Sequence, residues 1–128
     1  MPGVPILIVD DNPVNLKLVR FLLESEGYHV QTAADAEAAL HTLETFAPRL
    51  ILMDIQLPGM DGLTLTHQLK ADPRTKDITI VAITAYAMKV DEERALKAGC
   101  DGYVAKPIDT NAFPGLIARY LDKASSAV

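Results

Sequence analysis

The chain has one cysteine, no tryptophan and only 5% aromatic residues in a length of 128. Cys100 has no second cysteine with which to close an internal disulfide. No cysteine and histidine spacing matches a zinc site, since His29, His41 and His67 stand on separate segments. A reducing compartment is expected, with Cys100 a small packed residue. No apolar run approaches the roughly 18 residues that a membrane span needs, and Met1-Pro2-Gly3-Val4 lacks the basic start and apolar core of a signal peptide. A cytoplasmic protein with no membrane association is therefore expected. Positive charge is also scarce: 12 Lys and Arg against 17 Asp and Glu give a net charge of −5, a field that repels nucleic acid as a direct partner. Neither a Gly-x-x-x-x-Gly-Lys stretch nor a Gly-x-Gly-x-x-Gly turn follows the first apolar run, so no nucleotide cradle is signalled.

What is present fits one globular domain, with 49% apolar and 23% charged residues in a length that builds a single core. Residues 1–124 are read as that domain and 125–128 as a short flexible tail. Five apolar or β-rich runs, Ile6 to Val9, His29 to Ala33, Leu50 to Met53, Thr79 to Ile83 and Tyr103 to Ala105, alternate with segments of helical spacing. The near-continuous runs at Ile6, Leu50 and Thr79 are those of parallel strands covered on both faces, which predicts an α/β sandwich. Helix punctuation agrees. Asn12-Pro13 opens the first helix and Gly27 closes it, Asp35 opens the second, Asp61-Gly62 leads into the third, Asp91 opens a fourth ending at Gly99, and Asp109 or Thr110 opens a fifth running to about Leu121.

Open parallel sheets bind ligands beyond the carboxyl ends of their strands. In this chain those ends carry Asp10 and Asp11, Asp54, Thr84 and Lys106. Three carboxylates on one rim repel one another by about 4 kcal/mol per pair at ~4 Å and an effective dielectric near 20, so they call for a cation or protons. Hard oxygen donors without His or Cys suit Mg²⁺, with Mn²⁺ as the expected substitute, and Mg²⁺ so held takes a phosphoryl oxygen as a further ligand. Lys106 and Thr84 supply a point charge and a hydroxyl donor for such a group. A carboxylate can itself be the nucleophile that forms an aspartyl phosphate, and Asp54, centrally placed, is the candidate.

Taken together, Ile8-Val9-Asp10-Asp11-Asn12, the run from Leu52 to Gly62 through Asp54, Ile83-Thr84-Ala85 and Tyr103-Val104-Ala105-Lys106-Pro107 resemble the response-regulator receiver domain of chemotaxis regulators and phosphorelays, over nearly the whole chain. The resemblance implies a doubly wound (βα)5 flavodoxin-like sandwich with a five-stranded parallel sheet in the order 2-1-3-4-5. It implies that Asp54 accepts a phosphoryl group from a phosphohistidine. Asp11, Asp54 and the Gln56 carbonyl would bind Mg²⁺ directly, with Asp10 acting largely through a metal-bound water. Thr84, Ala85 and Lys106 would surround the phosphoryl oxygens, with a cis Lys106-Pro107 bond aiming the lysine inward. Phosphorylation, adding about −1.5 to −2 charge, would draw Thr84 inward and let Tyr103 turn from exposed to buried, which changes the surface of the fourth and fifth helices.

The partners so implied are a histidine kinase or histidine phosphotransfer protein and a downstream protein effector, the chain itself being a monomer or weak dimer. No separate substrate turnover is expected, only assistance to its own phosphorylation and dephosphorylation. Gln56 and Tyr86 occupy positions that tune hydrolysis in the family, the Tyr86 ring being expected to screen the acyl phosphate from water. Val90 stands where the family often carries Gly; a β-branched residue stiffens a loop there and is neutral in a helix. Projected at about 100° per residue, Val14, Leu16, Leu18, Val19, Phe21, Leu22 and Leu23 span an apolar arc of roughly 220°, more than a core-facing stripe requires. The surplus, with Asn15, Leu18 and Leu22, is a candidate dock for a partner's helical bundle. Two other origins are weighed: a receiver excised from a hybrid kinase or larger regulator, and an FMN-binding flavodoxin-like module. The second is disfavoured because Asp10-Asp11 would oppose the flavin phosphate.

Overall fold

The computed structural model describes residues 3–55, 62–84, 89–105 and 108–126, without the side chains of residues 84, 89–92 and 123–126. Strands β1 (Pro5–Val9), β2 (His29–Ala33), β3 (Leu50–Asp54), β4 (Thr79–Thr84) and β5 (Gly102–Ala105) alternate with helices α1 (Pro13–Ser25), α2 (Ala36–Leu43), α3 (Gly62–Ala71), α4 (Lys89–Ala98) and α5 (Phe113–Ser126). All pairings are parallel and the sheet order is β2-β1-β3-β4-β5, as expected.

Side chains along a strand point alternately to opposite faces, so unbroken apolar runs must be covered twice. Leu7 and Val9, Ile51 and Met53, and Ile80 and Ala82 pack with Ala36 and Ala39 of α2, Leu65 and Leu69 of α3 and Ala95 of α4. Ile6 and Ile8, Leu50 and Leu52, and Val81 and Ile83 pack on the opposite face with Val19 and Leu23 of α1 and Phe113, Ile117 and Leu121 of α5. Every residue of β3 is buried, which makes it the strand least able to tolerate a polar group without a partner.

Local chemistry sets the helix ends. Asn12 caps α1 through its side chain, with Pro13 in the first turn, and beyond the C-terminal Glu26 the chain reverses through Gly27 at φ 90°, a conformation that favours glycine. Asp35 caps α2 by accepting from the Ala38 N–H at 2.7 Å. Two boundaries differ from expectation. Helix α4 begins at Lys89, so Asp91 lies inside its first turn instead of opening it, and Val90 is helical, where β-branching costs little. Helix α5 begins at Phe113, after a turn in which Asp109 accepts from Asn111 N at 3.0 Å and Ala112 N at 3.3 Å, and it runs to Ser126, five residues past Leu121. Ser125 and Ser126, expected in the tail, therefore form the last residues of α5.

Candidate functional site

The reversal in sheet order falls between β1, which has β2 on one side, and β3 on the other, and this is where the loops at the strand ends part. Register brings two acids together there. Val9 lies opposite Met53, so the next residues along the two strands are Asp10 and Asp54. The Asp10 N–H bonds the Ala33 carbonyl at 3.0 Å, carrying the β1 ladder one residue further. Asp10 is fully buried and Asp54 is only 3% exposed, whereas Asp11 is open to solvent.

Asp10, Asp11 and Asp54 each present a carboxylate oxygen within 4.8 Å of the others. Two of these acids are buried, so bulk water screens them poorly, and each pair opposes the others by about 3 to 4 kcal/mol at an effective dielectric near 20. The first turn of α1 offsets part of that. Asp10 Oδ1 accepts from Asn12 N at 2.9 Å, and Asp10 Oδ2 accepts from Asn15 Nδ2. The positive end of the α1 dipole adjoins the same carboxylate. An all-oxygen donor set with two buried members fits a hard divalent cation such as Mg²⁺ and does not fit zinc, which favours nitrogen and sulfur.

The backbone around Asp54 leaves no slack. Ile55 N donates to the Ile83 carbonyl at 3.1 Å, and Gly62 N donates to the Ile55 carbonyl at 3.3 Å, folding the start of α3 back onto the end of β3. A Cβ on Gly62 would lie 2.2 Å from the Asp54 backbone oxygen and 2.8 Å from Ile55 Cα. Glycine here permits the close approach, a constraint the sequence marked only as a helix entrance.

Of the other candidates, Thr84 is the last residue of β4, paired with Ala105, the last of β5. Gln56, Ala85, Tyr86, Lys106 and Pro107 lie outside the described residues. Tyr103 is half-buried against the core beneath α2, α3 and α4, and its N–H reaches Tyr120 Oη at 3.4 Å. Tyr120 was not singled out from sequence; its spacing of three from Ile117 on α5 was the available signal.

On α1, Leu22 and Leu16 pack partly onto the core, while Val14 (76%), Leu18 (39%) and Phe21 (68%) are exposed in one row along the helix. Asn15 turns inward to Asp10. Cys100 is buried with its Sγ 3.8 Å from Thr66 Oγ1; burial pushes its thiol above the ordinary range, against the opposing effect of that hydrogen bond. An apolar cavity of about 270 Å³, lined by Leu43, Phe46, Pro48, Leu69 and Ile78 among others, lies at the opposite end of the strands and includes none of the three acids.

Residues 6–118 match the family model of the response regulator receiver domain. The chain belongs to that family. Receivers are signalling domains of two-component systems, and membership of that family, rather than the flavodoxin-like fold that both readings share, removes the flavin-module alternative. This receiver is 44% identical to the polar-differentiation response regulator DivK of Brucella anthropi over 119 residues, 93% of this chain and 97% of that one. A CheY-like receiver domain protein of Methanospirillum hungatei superposes with a TM-score of 0.89 at 32% identity, covering 98% of this chain and 99% of that chain. The receiver domain of sensor histidine kinase PA1611 from Pseudomonas aeruginosa, solved with a magnesium ion coordinated in its active-site cleft, superposes with a TM-score of 0.85 at 36% identity, covering 94% and 98%. No helix among the described residues of this receiver is long and apolar enough to cross a membrane.

Proposed function

We propose that this receiver takes a phosphoryl group onto Asp54 from the phosphohistidine of a kinase or phosphotransfer protein, in a Mg²⁺-dependent reaction, and passes the signal to a protein effector. The observation that carries this reading is the gathering of Asp10, Asp11 and Asp54 within 4.8 Å at the reversal of the sheet order. Asp11, Asp54 and the Gln56 carbonyl would hold the ion, with Asp10 beside them; Mn²⁺ would serve in its place. When bound, Mg²⁺ supplies positive charge that offsets the carboxylates and the phosphoryl oxygens together.

An Asp54 carboxylate oxygen attacks phosphorus, the bond from phosphorus to the histidine nitrogen breaks, and the freed imidazole nitrogen takes a proton. The backbone bonds flanking Asp54, from Ile55 to Ile83 and from Gly62 to Ile55, hold the backbone that carries its carboxylate at one position on the rim. Lys106, Thr84 and the small Ala85 would receive the phosphoryl oxygens. Thr84 and Tyr103 would then carry the change to the surface of α4, β5 and α5, where an effector that prefers the altered surface shifts the population toward it.

Docking of the phosphodonor is assigned to the exposed row Val14, Leu18 and Phe21, which starts beside the acids on the first turn of α1 and runs to its third. A helical bundle meeting that row would bring its histidine to the rim. The resemblance to the PA1611 receiver supports a second origin, in which the same domain is part of a larger kinase. Transfer from a phosphorylated histidine phosphotransfer domain tests the reading: label is expected on the parent protein and absent from Asp54→Asn. Label retained on that variant would contradict it.

A further inference from the structure

Both carboxylate oxygens of Asp10 are engaged by the start of a single helix, α1. At most helix starts that use a reciprocal cap, the side chain of the third helical residue returns to the N–H of the capping residue. Here the first half of that exchange is kept, with Asn15 N donating to Asn12 Oδ1, and both partners of the return bond are diverted onto Asp10. The N–H of the capping residue Asn12 goes to Asp10 Oδ1 at 2.9 Å, and the side chain of Asn15, the third helical residue, goes to Asp10 Oδ2. The Asn12 side chain does the capping alone, accepting from Val14 N at 3.0 Å and Asn15 N at 3.2 Å, and so fixes the backbone from which Asn15 reaches.

A buried carboxylate held by one donor can still turn about its Cβ–Cγ bond; held at both oxygens it cannot. The amide of Asn15 orients the carboxylate without neutralising it, whereas a lysine or arginine in its place would cancel the charge that a cation needs. Asn15 is not required as the cap, which Asn12 provides, and it lies among the α1 residues facing the rim between exposed Val14 and Leu18. We propose that Asn15 is a positioning residue of the cation site, fixing the face that Asp10 turns toward Asp11 and Asp54. The proposal rests on the Mg²⁺ reading above.

Its test is a Mg²⁺ titration by calorimetry of the full chain and of Asn15→Ala, Asn15→Leu and Asn15→Gln, well below the melting range, with thermal unfolding of each in EDTA. Loss of the donor in the Ala and Leu variants is expected to weaken Mg²⁺ binding about 10-fold, and the Gln variant, which keeps an amide, to return to within about threefold of the parent. Ser25→Ala, exposed at the far end of the same helix, is expected to bind like the parent. Parent-like affinity in the Ala and Leu variants, or a Gln variant as weak as the Leu variant, overturns the proposal, as does a lower melting temperature in EDTA with affinity unchanged. A parent that shows no saturable Mg²⁺ binding overturns the cation reading itself. Should the Ala variant not fold, the Leu and Gln pair decides alone.

Discussion

Asp54 is nearly buried beside two other carboxylates, so in the absence of a cation its charge opposes folding. Asp54→Asn is therefore expected to stabilise the protein in EDTA by on the order of 1 kcal/mol and to lose most of the further gain the parent shows on adding Mg²⁺. Urea unfolding with and without Mg²⁺ measures both; a variant less stable than the parent in EDTA would contradict the repulsion. Cys100 acts in the opposite chemical sense. Burial raises its thiol pKa in the folded state, so the folded form binds the proton more tightly than the unfolded one. That contribution is complete below the ordinary thiol pKa of about 8.5 and declines as pH rises past it, with Tyr28, raised mainly by burial, adding the same trend at higher pH. Native protein at neutral pH is expected to resist a thiol reagent and to take up one equivalent in urea; rapid native labelling would contradict the burial. The acids were legible from sequence because each ends an apolar run. The inward turn of Asn15 was not, since it depends on which way the first turn of α1 faces.

At the scale of the element, α1 separates packing from docking. Val19 and Leu23 are fully buried, and Leu16 and Leu22 lean on the same core. Leu18→Ser and Phe21→Ser are expected to cost on the order of 1 to 2 kcal/mol of stability each, leaving the protein folded, while slowing transfer from a phosphohistidine donor several-fold, with phosphorylation by a small phosphodonor unchanged. Equal slowing with both donors would place the defect in the chemistry and not in docking. The broad apolar arc was visible in the sequence. Which part of it stays exposed was not, because that is set by how the helix lies against β1 and β2. For α3, Gly62→Ala forces a methyl group against the Asp54 carbonyl, and a loss of about 1 to 3 kcal/mol is expected in thermal unfolding. Helix α4 starting before Asp91 shows the limit of capping signals: an acid in the first turn favours the helix whether it stands at the cap or just inside.

For the molecule as a whole, alternation of buried strands and punctuated helices was enough to read an α/β sandwich, and the strand order came with the family resemblance. The net charge of −5 spoke against nucleic acid without locating the acids. Their meeting is a property of the register, which sets Asp10 beside Asp54 at the place where the sheet changes direction. The account rests on that meeting being a phosphoacceptor. Incubation of the purified chain with acetyl phosphate, followed by intact mass, tests it most directly. One phosphoryl group is expected on the parent in Mg²⁺, with none in EDTA and none on Asp54→Asn. An adduct that forms without Mg²⁺, or that persists in the Asp54→Asn variant, would contradict the account.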